Sequence, residues 1–462
     1  MKKAVAVILT ILLLLTFAQP VYATEFGRAP NRPVRSEIVY LFNMDEQTIV
    51  YQLNADRRAY PASLVKIMAA ILALENTPDL RTIVTFPPYI QEYLFNYQVE
   101  HSVSISLGGM RAGEEMTMHD LLHGLMLQSA NEIAMIIADH IGGNQPGRQP
   151  GSWANQDEFV EMMNRRAREL GAINTNFTNP TGLPDPDMYT TARDMAIIAR
   201  HAMGLPGFMD IVSTPRFSAG PTNIHTNLEW GSTIAMQVPG SAVFYPPLRG
   251  IKTGTTPQAG RNFISTASRD GFTYLLVLMN APLHDEEGAL LPRNYAFVDA
   301  ENIYEWAFDT FRVLPIVERH TRIHEIPLRL NSHQDFLPLE TAERVTALIA
   351  RGIDPAQALE FIYELPESID APVRRGDHIG YATLILDGQD MGRISLLAAE
   401  SVDTSIGLVV MDHIRSALTS FWFRFVVIFI ILLIALYVAV MFMRNKRRRR
   451  RRPAKYKPRR RI

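Results

Sequence analysis

The sequence contains no cysteine, so disulfide bonds are excluded. The 462-residue chain must therefore be stabilised by burial of its apolar side chains, which are 47% of the composition. A core of that size needs no covalent cross-links, and the missing cysteines neither favour nor oppose export. With 20% charged residues the composition is that of a globular protein, and the length suffices for two or three domains.

Acidic residues are missing from both ends of the chain. No Asp or Glu occurs from Arg444 to Ile462, where 13 residues are Lys or Arg, and the segment around Lys2 and Lys3 also lacks acids. The formal net charge of −1 therefore hides an acidic body between two basic ends.

The N-terminal segment has the three parts of a secretory signal. Lys2 and Lys3 precede the apolar run from Ala4 to Phe17, and small residues precede a cleavage position after Ala23. This apolar run is short for a spanning helix, so we expect a signal peptide over residues 1–23. An uncleaved N-terminal anchor is the alternative.

The C-terminal segment predicts a membrane anchor. Phe425 to Met443 is a run of 19 residues without a charge, long enough to cross a bilayer. Six consecutive arginines, Arg447 to Arg452, follow closely. Such a block also suggests nucleic-acid binding, but directly after a spanning helix it indicates a cytoplasmic end. We therefore expect no nucleic-acid partner, and a body outside the cell membrane.

Several segments have a predicted secondary structure. Ser36 to Phe42 and Gln47 to Leu53 are β-prone runs that predict a hairpin. Val103 to Leu107 also predicts a strand, whereas Thr341 to Arg351 and Pro355 to Leu365 both predict helices.

Ser63-Leu64-Val65-Lys66 is the first of three short motifs that carry chemistry. Pro61 suits the first turn of a helix, because its missing N–H is not needed there. In a helix, Ser63 and Lys66 lie on one face and can touch. A hydroxyl beside an amine is a nucleophile beside its potential base.

The second and third motifs are short and, taken singly, unspecific. Ser129 and Asn131 lie two apart at the start of an apolar helix, and both side chains reach one cleft if the turn is not yet helical; an ordinary helix-capping serine is the alternative. Lys252-Thr253-Gly254 predicts a strand at a cleft edge, where the glycine lets a ligand approach the backbone closely.

Taken in this order, Ser-x-x-Lys, Ser-x-Asn and Lys-Thr-Gly resemble the active-site triplet of penicillin-binding proteins and serine β-lactamases. The connecting region narrows the resemblance. Asn179-Pro180, Gly182-Leu183 and Thr191-Ala192-Arg193-Asp194 are similar to segments of the D-alanyl-D-alanine carboxypeptidases, the low-molecular-mass penicillin-binding proteins. The likeness covers roughly Ser36 to Val313, and residues 371–400 are similar to the small C-terminal domain of that family.

The resemblance implies an α/β (α+β) fold of the DD-peptidase/β-lactamase type. An antiparallel sheet flanked by helices and a helical cluster precede a small β-rich domain and a C-terminal transmembrane helix. The expected boundaries are 1–23 for the signal peptide, 34–313 for the serine DD-peptidase domain, 314–402 for the β-rich domain, 403–424 for a juxtamembrane segment, 425–443 for the transmembrane helix and 444–462 for a basic cytoplasmic tail.

The resemblance also implies a hydrolase that removes the terminal D-alanine of peptidoglycan stem peptides through an acyl-enzyme and is acylated by β-lactams. Its implied catalytic residues are Ser63, Lys66, Ser129 and Asn131, and its implied substrate-binding residues are Lys252, Thr253, Gly254 and Thr255. Burial and the Lys252 cation are expected to lower the pKa of Lys66. No metal or cofactor is required.

Two alternatives stay open at this point. A serine β-lactamase would share the fold and the acyl-enzyme, although no Glu-x-x-x-Asn loop is evident between Asn131 and Lys252. A membrane-tethered wall-binding protein would keep the cleft without the activity. The pair His119 and His123, with Asp120 between them, superficially resembles a zinc-protease motif, but we interpret these as surface or packing histidines.

One position departs from the family pattern. Some members place an arginine upstream of the Lys-Thr-Gly strand, where this chain has His225 and Thr226. Arg249 is the nearby cation that we consider as a helper of Lys252 in carboxylate recognition.

Overall fold

The computed structural model describes residues 30–352, 354–386 and 388–450. The predicted signal peptide and the end of the basic tail lie outside the described residues. The chain divides into two compact units, one made of Met1–Leu314 and Ala347–Asp354 and the other of Pro315–Thr346 and Pro355–Ile462.

The first unit is built on a five-stranded antiparallel sheet of order β2-β1-β9-β8-β7. Its strands are β1 (Ile38–Asn43), β2 (Thr48–Leu53), β7 (Leu248–Thr256), β8 (Gly260–Arg269) and β9 (Phe272–Ala281). Because β7 is an edge strand, one of its sides has no neighbour in the sheet. The predicted hairpin is confirmed, since β1 and β2 pair antiparallel.

Two small antiparallel pairs accompany this sheet. They are β3 (Ile83–Thr85) with β4 (Glu115–Thr117), and β5 (Arg216–Ala219) with β6 (Leu228–Gly231).

The helices of this unit include a four-residue 3-10 helix, Ala62–Val65, and a shorter one, Ala235–Gln237. The α-helices are α1 (Lys66–Asn76), α2 (Pro88–His101), α3 (Met118–Leu127), α4 (Asn131–Gly143), α5 (Trp153–Leu170), α6 (Ala192–Met203), α7 (Phe208–Val212) and α8 (Tyr295–Thr310).

Both faces of the sheet are covered, because alternate residues of each strand point to opposite sides. On β9, Leu275 and Val277 join the core shared with α1, α3 and α4, whereas Leu276 and Leu278 join the core shared with α8. Helix α1 is buried from Lys66 to Ala73 and packs against α3, α4 and α6. The motif residue Lys66 therefore begins a helix at the centre of the unit.

The second unit carries a six-stranded sheet of order β14-β16-β17-β12-β11-β15. Its strands are β11 (Arg322–Arg329), β12 (Phe336–Thr341), β14 (Leu359–Glu364), β15 (Ile369–Asp370), β16 (His378–Leu386) and β17 (Gln389–Ala398). A separate pair of strands, β10 (Phe311–Val317) and β13 (Val345–Ala350), forms a two-stranded sheet.

Three of the predicted elements are wrong. Thr341 to Arg351 contains strand β13, and Pro355 to Leu365 holds a four-residue helix, α9 (Pro355–Ala358), followed by β14. Along β14 the even-numbered side chains are exposed and the odd-numbered ones partly buried, a period of two that the helix-favouring composition concealed. Val103 to Leu107 forms no strand, and its Ser106 carbonyl accepts the N–H of Asn131.

The described chain ends in two helices, α10 (Ile406–Thr419) and α11 (Phe421–Arg450). Within α11, Phe421–Lys446 is long and apolar enough to cross a membrane, and none of its most apolar window is buried inside the protein. The antiparallel sheet with its helices, the β-rich second unit and the apolar C-terminal helix together confirm the predicted fold class.

Candidate active site

Ser63 and Lys66 lie side by side at the start of α1. Ser63 is in the 3-10 helix and is partly exposed, whereas Lys66 is fully buried. The Lys66 ammonium nitrogen Nζ is 3.2 Å from the Ser63 hydroxyl Oγ. The hydroxyl therefore faces solvent while its neighbouring amine is held inside the protein.

Asn131 approaches the same amine from α4. Its side-chain oxygen Oδ1 accepts a hydrogen bond from Lys66 Nζ at 2.8 Å. Ser129 is also buried and has a left-handed backbone, with φ of +61°, so that the chain turns between α3 and α4. Helix α4 begins at Asn131, and its N-cap is Ala130 rather than the serine.

Lys252 and its neighbours lie on the edge strand β7. Lys252 is fully buried, and its Nζ donates to the Thr253 carbonyl at 3.0 Å. The Thr253 hydroxyl is 2.7 Å from that of Thr233. Thr255 is exposed further along the strand. The third motif thus places a second buried amine, that of Lys252, on β7, whose outer edge pairs with no other strand of the sheet.

The close approach at Gly254 involves the protein's own backbone. A Cβ on Gly254 would lie 3.0 Å from the Pro61 carbonyl oxygen and 3.1 Å from the Ser63 nitrogen. The glycine therefore lets β7 lie against the turn that carries Ser63. The structure thereby brings the first and third motifs together.

The sequence did not identify the carbonyl of Thr181 as a ligand of the Lys66 amine, which donates to it. The Asn179 side chain shapes this turn by accepting from the Thr181 hydroxyl and from the Gly182 N–H, at 2.7 and 2.8 Å. Asn-Pro-Thr-Gly was visible in the sequence as a loop, but no local signal pointed to a backbone carbonyl.

Asn262 on β8 is a second residue that the sequence did not identify. It is buried, and its side-chain amide donates to the carbonyls of Tyr60 and Pro61 at 2.8 and 3.1 Å. The segment that leads into the 3-10 helix is therefore tied to the sheet by one side chain.

Burial and like charge alter the pKa of both lysines. Burial is the main cause that holds the pKa of Lys66 well below its usual range, and the Lys252 cation lowers it further. Both expected causes are therefore present, while Glu132 acts in the opposite direction. Burial alone lowers the pKa of Lys252 to about 7. A neutral amine next to a serine hydroxyl can accept the proton of that hydroxyl.

Three other side chains from the sequence analysis lie in different surroundings. His123 stacks on Phe217, with ring centroids 3.8 Å apart. His225 pairs with the buried Glu114 at 2.9 Å. The Arg249 guanidinium donates to backbone carbonyls of its own segment, at Pro246 and Leu248. These contacts give each of the three a packing or tethering role.

Comparison with known proteins identifies the family of the chain. The D-alanyl-D-alanine carboxypeptidase family model matches residues 27–283, more than half of the chain. The model of the penicillin-binding protein 5 C-terminal domain matches residues 323–404.

The chain is also similar to individual curated carboxypeptidases. It is 25% identical to D-alanyl-D-alanine carboxypeptidase DacF of Bacillus subtilis, over 87% of this chain and 95% of the relative. It is 27% identical to DacA of Haemophilus influenzae, over 82% of this chain and 88% of the relative.

Solved structures share the fold. Penicillin-binding protein 5 from Haemophilus influenzae has a TM-score of 0.56 at 24% identity, covering 81% of this chain and 99% of that one. DacD from Francisella tularensis has a TM-score of 0.58 at 18% identity, covering 84% and 98%. With the family model these similarities confirm the resemblance found in the sequence, and the chain belongs to the D-alanyl-D-alanine carboxypeptidase family of hydrolases.

Proposed function

We propose that this chain removes the terminal D-alanine from peptidoglycan stem peptides through an acyl-enzyme on Ser63, and that β-lactams acylate the same hydroxyl. The observation that carries the proposal is the buried Lys66 amine, 3.2 Å from Ser63 Oγ and 2.8 Å from Asn131 Oδ1. Its lowered pKa favours the neutral, proton-accepting form of the amine.

In the first half of the reaction, Ser63 Oγ attacks the carbonyl carbon between the two D-alanines, and Lys66 takes the hydroxyl proton. The oxyanion is stabilised by the backbone N–H groups of Ser63 and Thr255, each typically worth a few kcal/mol. Ser129 relays the proton to the amine of the departing D-alanine as the C–N bond breaks. The product is an ester of Ser63.

In the second half, water attacks this ester, the C–O bond to Ser63 breaks, and the serine regains its proton. Asn131 orients Lys66 and the substrate backbone, while Lys252 and Thr253 attract the terminal carboxylate. The position of Gly254 supports this assignment, because it brings the free edge of β7 to the Ser63 turn.

We also propose the placement of the chain. The apolar helix within α11 anchors the protein in the cell membrane, with the peptidase domain, residues 34–313, and the β-rich domain, residues 314–402, on the extracellular side. The arginine-rich tail, residues 444–462, then lies in the cytoplasm.

Intact-mass spectrometry of the full-length protein after incubation with penicillin tests the proposed mechanism. We expect one adduct per chain. After digestion with trypsin, the adduct should be found on the peptide Ala59–Lys66, in which Ser63 is the one serine. Ser63→Ala should abolish both the adduct and the release of D-alanine from a pentapeptide. An adduct on another peptide would contradict the assignment.

Nitrocefin distinguishes the remaining alternatives. Rapid multiple turnover would identify a β-lactamase, whereas slow stoichiometric acylation together with D-alanine release supports the carboxypeptidase. A wild-type protein that forms no adduct and releases no D-alanine would indicate a wall-binding protein without catalysis.

A further inference from the structure

The segment Ser106–Gly109 is hydrogen-bonded to the first turn of α4. The Asn131 N–H donates to the Ser106 carbonyl at 2.9 Å. One carboxylate oxygen of Glu132, Oε1, accepts the N–H groups of Gly108 and Gly109, the latter at 2.9 Å. Two consecutive residues of α4 therefore hold this irregular segment, and the first of them is the residue that binds Lys66.

Trp230 holds the same segment from a different element. Its indole nitrogen Nε1 donates to the Gly108 carbonyl at 2.8 Å. The ring also packs tightly under α3, because a Cβ on Gly124 would lie 2.9 Å from it. Trp230 and Glu132 therefore both hold the Ser106–Gly109 segment, each through hydrogen bonds to its backbone.

Glu132 is a buried carboxyl group with an incomplete set of partners. It is 2% exposed, and its second oxygen, Oε2, has no hydrogen-bond partner within the described part of the chain. Burial raises the pKa of Glu132 to about 7. A buried carboxyl in this state costs stability.

The surroundings of Glu132 contain few other charges. It lines a groove of about 780 Å³ together with α2 and residues 107–112, where the other charged side chains are Glu92 and Arg111.

We propose that Glu132 is a positioning residue for the reaction: it locks the Ser106–Gly109 segment to α4 and so fixes the Asn131 amide. This inference rests on the proposed function of Lys66 as the base. It adds Glu132, a residue outside the three motifs that follows Asn131, whose side-chain amide accepts a hydrogen bond from the Lys66 amine.

Three variants separate position, charge and general stability. Glu132→Gln keeps an oxygen that accepts the two N–H groups but removes the charge, and Glu132→Ala removes both. Asp139→Asn is the matched control. Asp139 is also buried, lies two turns further along α4, and likewise accepts backbone N–H groups, those of Gly151 and Ser152 at 2.7 and 3.1 Å.

The experiment measures the acylation rate of the full-length chain in detergent with a fluorescent penicillin between pH 5 and 9, alongside thermal unfolding. Glu132→Ala should lower the acylation rate about 10- to 100-fold, the usual cost of a misplaced reacting group. Glu132→Gln should restore most of the wild-type rate, because it keeps the oxygen that accepts the two N–H groups. Asp139→Asn should react at the wild-type rate.

The inference is overturned if Glu132→Ala reacts at the wild-type rate, if Glu132→Gln is as slow as Glu132→Ala, or if Asp139→Asn slows acylation equally. A wild-type protein without an adduct dependent on Ser63 would instead refute the proposed function. The two failures are therefore distinguishable in one series of measurements.

Discussion

Gly182→Ala tests whether the Asn179–Leu183 turn is part of the active site. Gly182 has φ of +80°, and a Cβ there would lie 2.1 Å from the Ala62 carbonyl oxygen and 2.9 Å from the Ser63 nitrogen. Both atoms are backbone and cannot rotate away. The Cβ is therefore more than 1 Å short of ordinary contact, and either the turn or the 3-10 helix must move.

The expected loss of folding free energy in Gly182→Ala has two parts. The left-handed backbone costs an alanine about 1–2 kcal/mol. Forcing the overlapping Cβ into a packed region costs about 1–3 kcal/mol more. Because the neighbouring Thr181 carbonyl accepts a hydrogen bond from the Lys66 amine, the displacement also moves Lys66, the proposed base, relative to Ser63. We therefore expect acylation to be about 100-fold slower.

Gly207→Ala is the matched control. Gly207 has φ of +78°, and no atom lies within 4 Å of a Cβ placed there. This variant should therefore lose only the conformational part of the stability, about 1–2 kcal/mol, and should react at the wild-type rate.

Denaturant unfolding and acylation kinetics with a fluorescent penicillin measure both effects. The reasoning is refuted if Gly182→Ala is acylated as fast as wild type, or if Gly207→Ala slows acylation to the same extent.

Three further predictions follow from individual contacts. The KM for a peptide with a free terminal carboxylate should rise as pH rises through about 7, because Lys252 loses its charge there, while the KM of the corresponding peptide amide should not show this rise. Asn262→Ala should lower the free energy of unfolding by about 1–3 kcal/mol, since the carbonyls of Tyr60 and Pro61 lose their donor; unchanged unfolding and acylation would contradict this. Removing residues 421–462 should release the chain from membranes into the soluble fraction with penicillin binding intact; a truncated chain that still sediments with membranes would refute the anchor.

The residue types of the candidate site were visible in the sequence because each lies in a short motif with its own local geometry. Ser63 and Lys66 are neighbours on one turn, and Ser129 and Asn131 flank one helix start. The long apolar run likewise determined the C-terminal helix, since length and hydropathy suffice for that prediction. The prediction of helices between Thr341 and Leu365 was wrong, because pairing with distant strands outweighed the local helix preference.

The sequence by itself therefore determined which family the chain resembles and which residue types form the candidate site. Only the tertiary structure decided which groups surround these residues. The Thr181 carbonyl and the Asn131 side chain accept hydrogen bonds from the Lys66 amine. Asn262 holds the segment before Ser63, and Glu132 holds the segment next to Asn131. The physical reason is that burial and long-range contacts set the protonation of an amine, and no local pattern records them.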